Sequence, residues 1–89
     1  MTKLFINVKA EVIEKVIFKV INKLYPSLNL QVVHVLKDAD GDNLRVYLIT
    51  SYNNLPDNLT MTRQIQMDVV DLCRSLGEKA ELVSFANYG

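Results

Sequence analysis

The pair Asp40-Gly41 constrains the fold more than any other feature, because it lies between two runs rich in Val, Leu, Ile and Tyr. Gln31 to Asp38 precedes the pair, and Asn43 to Ser51 follows it. Asp-Gly is typical of two-residue hairpin turns, since such turns need positive φ, which glycine adopts without a steric penalty. The two runs are therefore predicted to form a pair of antiparallel strands.

A two-residue turn at this position also sets the register of the hairpin, and the register decides which face each side chain occupies. Val33 and Val35 would oppose Leu48 and Val46 on a purely aliphatic face, which we predict to face the core. The other face would carry three opposed pairs, namely Leu36 with Arg45, His34 with Tyr47, and Val32 with Ile49.

Two segments with helical spacing flank the hairpin. Residues 12–24 precede Pro26 and have apolar side chains at Val12, Ile13, Val16, Ile17, Val20, Ile21 and Leu24. A second helix is predicted from Thr60 to Gly77, with Asp57 or Asn58 as its N-cap. Its apolar face consists of Met61, Ile65, Val69, Leu72, Cys73 and Leu76.

Two further strands complete the predicted fold. Leu4 to Val8 is interpreted as a strand because the helical phase breaks near Lys9, and Ala80 to Ala86 closes the chain with Val83 and Phe85 towards the core. The expected architecture is one α+β domain over residues 1–89, a two-layer ferredoxin-like βαββαβ sandwich with an antiparallel sheet. One extended helix from residue 2 to 24 would instead give αββαβ.

Charge and cysteine content narrow the possible functions. Ten basic and ten acidic residues cancel, so the chain lacks the long-range field that draws proteins to nucleic acids or anionic membranes. No uncharged stretch approaches the about 20 residues of a membrane-spanning helix. Since Cys73 is the only cysteine and no signal peptide is apparent, a cytoplasmic location without membrane contact is expected.

The residues that could support catalysis or metal binding do not form a recognisable motif. Asp38, Asp40 and Asp42 are spaced like the start of a calcium loop, but Asn43 and Ile49 occupy the positions that need glycine and a bidentate acid. Cys73 lies on the apolar helix face and is expected to be an inert core thiol. We expect no metal and no cofactor, and the sequence favours a non-enzymatic protein.

The face of the sheet opposite the helices is the first candidate site. It is predicted to carry Phe5, Val32, His34, Leu36, Arg45, Tyr47, Ile49 and Leu82. This set is too apolar for a face left in water, and aromatic residues and arginine are enriched at protein interfaces. We therefore expect a protein-interaction module whose partner is a second copy of the chain.

A strip on the second helix is the second candidate interface. Arg63, Met67, Val70 and Arg74 line up opposite the apolar face of that helix. Met67 and Val70 are expected to be solvated if the domain stands alone. Two apolar residues framed by arginines are suited to docking another protein segment.

Single-stranded nucleic acid is the alternative partner. Residues 3–8, Lys-Leu-Phe-Ile-Asn-Val, resemble the first-strand motif of RNA recognition motif domains, and the third-strand motif is matched only by Arg45 and Tyr47. The resemblance implies base stacking on Phe5. Tyr47 would be a second stacking residue. The phosphates would contact Arg45, Lys15, Lys19 and Lys23.

Zero net charge disfavours this nucleic-acid alternative. A further alternative is a small ligand-binding domain or enzyme built around His34, Arg45 and Tyr47.

Overall fold

Two helices pack against one face of a three-stranded sheet in the computed structural model of the chain. The structure describes residues 2–37, 43–51 and 58–88, with side chains described for 10–37, 43–51 and 58–86. The elements in chain order are α1 (Thr2–Leu24), a short 3-10 helix (Pro26–Leu28), β1 (Leu30–Lys37), β2 (Asn43–Ser51), α2 (Leu59–Ser75) and β3 (Lys79–Tyr88). This order is αββαβ.

The hairpin register predicted from the sequence is confirmed. β1 and β2 are antiparallel, with Val33 opposite Leu48 and Val35 opposite Val46. The other three pairs are also as predicted: Leu36 with Arg45, His34 with Tyr47, and Val32 with Ile49. The Asp40-Gly41 turn itself, like Asp38 and Asp42, lies outside the described residues.

The predicted first strand is wrong, because Leu4 to Val8 lies within α1. In a ferredoxin-like sheet this strand would lie between the strand before the second helix and the last strand. Here those two, β2 and β3, bond directly to each other in parallel, from Asn43 opposite Lys79 to Ser51 opposite Tyr88. No slot is left for another strand between them, and the sheet is mixed rather than antiparallel.

Neither glycine nor proline occurs between Thr2 and Leu24, so nothing in the local sequence ends the helix. The change of helical phase near Lys9 does not end the helix. It changes only the set of residues that can face the core. In the described part of α1, the buried residues are Ile13, Ile17 and Ile21, at a spacing of four. Val12 and Leu24, predicted to be apolar contacts, are instead about half exposed.

The second helix agrees closely with its prediction. Asn58 is the N-cap, and its side-chain Oδ1 accepts a 2.7 Å hydrogen bond from the backbone N–H of Met61. Gly77 follows the helix with φ of +79°, a conformation that glycine adopts at least cost. Ile65, Val69 and Cys73 are fully buried in the core, and α2 packs mainly against β3.

Candidate functional site

The face of the sheet that the helices leave uncovered consists of three rows, each running across β1, β2 and β3. Leu36, Arg45 and Leu82 form one row; His34, Tyr47 and Ser84 form the next; Val32, Ile49 and Ala86 form the third. We call this surface the open face. Side chains alternate between the two faces of a strand, so the neighbours of these residues are the core residues of the same strands.

Large aliphatic side chains lie in solvent at both outer strands of the open face. Val32 is 40% exposed, Leu36 45% and Leu82 43%. Tyr47 and Ile49 on the central strand are half-buried between them. The row of Val32, Ile49 and Ala86 is wholly apolar, whereas Arg45 lies between Leu36 and Leu82 in the first row.

The charged groups of the open face are paired with each other. Arg45 Nε lies 3.6 Å from Glu81 Oε2, and both side chains are about half exposed. Glu81 is the additional residue where the β2–β3 register shifts, since Leu44 pairs with Ala80 and Arg45 with Leu82. The irregularity places a carboxylate beside Arg45, so this end of the face is nearly neutral.

At the opposite edge, His34 lies beside an acid from the helix layer. Its Nδ1 is 4.0 Å from Oε2 of Glu14, and the imidazole is 55% exposed. The same Glu14 oxygen accepts a 2.9 Å hydrogen bond from the backbone N–H of Val35. Glu14 therefore reaches round the edge of the sheet from α1.

Seven of the eight residues predicted for this face lie on it, and Phe5 does not. Phe5 lies in α1, which belongs to the other layer, so it cannot be the sheet platform that the resemblance to an RNA recognition motif implies. The Arg45 and Tyr47 side chains remain together with His34 on the open face.

The predicted strip on α2 is present, but its two apolar residues differ. Met67 is 61% exposed, whereas Val70 is half-buried and packs against the core, which corrects its expected solvation. Arg63, Gln66, Asp71 and Arg74 complete a shallow groove around them. Arg74 lies 3.4 Å from Asp71, so one of the two framing arginines is already engaged by its own helix.

The three lysines predicted to form a basic row on α1 are exposed. Lys15, Lys19 and Lys23 project from the helix layer, whereas Arg45 and Tyr47 lie on the opposite face of the sheet. The groups assigned to phosphate contacts are therefore divided between two layers. A single strand that stacked on Tyr47 would not pass along the lysine row.

The buried thiol has the environment predicted for it. Cys73 is fully buried, and burial, followed by the nearby charge of Glu78, raises the pKa of its thiol. A raised pKa keeps the sulfur protonated and weakly nucleophilic. Within residues 2–37, 43–51 and 58–88, no group of three His, Cys, Asp or Glu side chains could hold a metal ion.

Several polar contacts could not be predicted from the sequence because each joins residues distant along the chain, and three of them connect different elements of the fold. These three are Glu14 with Val35, the Gln66 amide donating to the Val83 carbonyl at 3.0 Å, and the Tyr25 hydroxyl donating to Asp68. The Tyr25 pKa is raised to about 12, first by this hydrogen bond, then by desolvation and the Asp68 charge. No short motif signals such contacts.

Known protein families, curated proteins and solved structures yield no match to this chain. The site is therefore interpreted from its own geometry. In the part of the chain that the structure describes, neither helix has the length and apolar character needed to cross a membrane.

Proposed function

We propose that this chain is a non-enzymatic protein-interaction module that self-associates through the open face. The observation that carries the proposal is the exposure of Val32, Leu36 and Leu82 at 40–45% around the half-buried Tyr47. Contiguous exposed apolar surfaces on small proteins mark interaction sites, because leaving them in water is unfavourable.

The open face of a second copy is complementary to this surface in charge as well as in apolar character. Arg45 and Glu81 lie side by side, so two copies related by a two-fold axis could exchange partners without leaving either charge alone. The zero net charge also means that two copies do not repel each other at long range. Two sheets packed face to face would bury the exposed aliphatic side chains of both copies.

Two other functions are less well supported. Nucleic-acid binding would need cations beside the stacking residues, but Lys15, Lys19 and Lys23 belong to the other layer and Phe5 is helical. A ligand-binding or catalytic site would need its polar groups to converge. Arg45 instead faces Glu81, while His34 lies by Glu14 at the sheet edge.

A matched pair of leucine variants tests the proposal. Leu82→Glu puts a charge into the open face, whereas Leu59→Glu puts the same charge at the 63% exposed first residue of α2. At micromolar concentration, sedimentation velocity should give twice the chain mass for the parent and Leu59→Glu, and the single-chain mass for Leu82→Glu. Tyr47→Glu should act like Leu82→Glu, with the circular dichroism of the folded chain retained.

The same samples separate the alternatives. A parent protein that stays monomeric at several hundred micromolar would contradict self-association. Titration with fluorescent single-stranded RNA of mixed sequence at physiological salt should show no binding tighter than the non-specific range of about 10⁻⁶ to 10⁻⁴ M. Submicromolar binding that is lost in Tyr47→Glu would favour the nucleic-acid alternative instead.

A further inference from the structure

The outer edge of β1 is a second surface, distinct from the open face. The strand order is β1-β2-β3, so β1 (Leu30–Lys37) is paired on one side only. Its other side presents backbone N–H and C=O groups that have no neighbouring strand in the described sheet. Such an edge is a template for another strand.

Glu14 occupies one of the hydrogen-bonding positions on this edge. Its carboxylate accepts the Val35 N–H at 2.9 Å, which is what the carbonyl of a neighbouring strand would do. Backbone groups of alternate residues point the same way, so the Val33 N–H also faces outward. Val33 lines an open groove with Glu14, Lys15 and Phe18, beside the position that a new strand would take.

The sequence of β1 is complementary to itself in one antiparallel register. With His34 on a two-fold axis, Val33 faces Val35 of a second copy, and the outward groups of these residues exchange hydrogen bonds. On the open face Val32 then lies opposite Leu36 of the second copy, and at the ends Gln31 lies opposite Lys37. Apolar residues therefore meet apolar residues on both sides of the axis, where His34 faces its own copy. Lys37, the one charged residue of this strand, faces an uncharged residue.

We propose that the outer edge of β1 is a strand-pairing site for the same edge of a second copy, held closed by the Glu14 carboxylate. Opening requires Glu14 to leave Val35, which its 26% exposed side chain can do by turning into water. Pairing would then join the two sheets into one of six strands. This proposal does not rest on the open face.

The test replaces Glu14 in two ways that remove the same charge. Glu14→Ala removes the acceptor, while Glu14→Gln keeps an oxygen that can accept from Val35. Both substitutions are made in the Leu82→Glu variant, which removes association through the open face. They are also made in the parent, so that the test does not depend on the open face being an interface. Self-association measured by sedimentation should be roughly tenfold tighter in the alanine variant than in the glutamine variant, since one hydrogen bond per copy is released for pairing.

Hydrogen exchange locates the contact. In the associated Glu14→Ala protein, the Val33 and Val35 amides should be protected, and both should lose protection on dilution. Equal association of the alanine and glutamine variants, or association without protection of these amides, would overturn the proposal. Glu14→Met keeps the side-chain length and helix propensity, and it replaces the alanine variant if that one fails to fold.

Disulfide trapping checks the register independently. His34→Cys combined with Glu14→Ala should cross-link to its copy, because residues facing each other on the axis have Cα atoms about 4.5 Å apart, within disulfide range. Lys37→Cys on the same strand should not cross-link, since it lies far from its own copy in this register. The native Cys73 is fully buried and stays silent. Cross-linking through position 37 but not 34 would refute the register.

Discussion

The two faces of the sheet are made from alternate residues of the same strands, yet they end in opposite environments. On β2, Leu44, Val46 and Leu48 are buried under the helices, whereas Arg45 and Tyr47 face the other way. The outer strands repeat the pattern but leave large aliphatic residues uncovered. The comparison teaches that α1 and α2 supply cover for only one of two apolar faces.

The largest expected effect comes from truncating leucine on the covered face. Leu48 is fully buried, so Leu48→Ala should lower the free energy of unfolding by about 2–5 kcal/mol, a large share of what a small domain has. Leu82→Ala is the matched change on the open face, where the side chain is 43% exposed. In dilute protein it should cost less than about 1 kcal/mol, as measured by urea unfolding.

A dependence on protein concentration would sharpen this result. If Leu82→Ala becomes more destabilising as concentration rises while Leu48→Ala does not, Leu82 is buried by a second copy. If both variants lose the same free energy of unfolding at every concentration, the open face is covered within one chain. The two faces would then not differ in burial.

The same contrast is expected within α2. Val70 packs against the core whereas Met67 is 61% exposed, so the valine lies at the margin of the covered face. Val70→Ala should cost about 1 kcal/mol and Met67→Ala less than about 0.5 kcal/mol in thermal or urea unfolding. A larger loss for Met67→Ala would show that the groove between Arg63 and Arg74 is filled in solution.

A buried hydroxyl on the covered face gives a stabilising prediction. Thr50 is fully buried, and its Oγ1 has no hydrogen-bond partner within the described part of the chain. Thr50→Val keeps the branched shape and removes the unsatisfied polar group. The variant should be more stable by up to about 1 kcal/mol in urea unfolding. A loss of stability would mean that the hydroxyl is bonded in solution.

The smallest effect is confined to alkaline pH and tests the helix layer itself. Tyr25, just after α1, donates to Asp68 on α2, and its pKa is raised from 10.0 to about 12. The folded protein thus holds this proton more tightly than the unfolded chain. The resulting stability is present in full below pH 10 and declines as pH rises towards 12.

Tyr25→Phe removes the proton concerned and is the control. The difference in unfolding free energy between parent and Tyr25→Phe should narrow between pH 10 and 12. A constant difference across that range would show that the hydroxyl and Asp68 are not coupled in solution.

The local parts of this fold could be predicted from the sequence. Asp40-Gly41 and the alternation around it give the hairpin register, and therefore six of the residues on the open face. Asn58 and Gly77 mark the ends of α2 through their own backbone preferences. In each case a few neighbouring residues carry the information.

The remainder depends on contacts between distant parts of the chain. Whether Phe5 belongs to a strand or a helix is decided by β2 and β3, which pair directly and leave no place between them. The helical phase of the residues around Lys9 carries no information about the pairing of β2 with β3. The edge contact of Glu14 was equally hidden, since an acid in an amphipathic helix looks the same whether it meets water or a strand.

The parallel pairing of β2 and β3 has a consequence for the order of folding. β1 and β2 are consecutive in the chain, so pairing them closes only a short connection. Pairing of β3 with β2 closes a loop that contains the whole of α2. Pairing between distant segments is slow, because the chain entropy of closing the loop is lost before the stabilising contacts form. During that interval the hairpin exposes both apolar faces and the side of β2 reserved for β3. Each of these surfaces is a site at which one chain can capture another before either is complete.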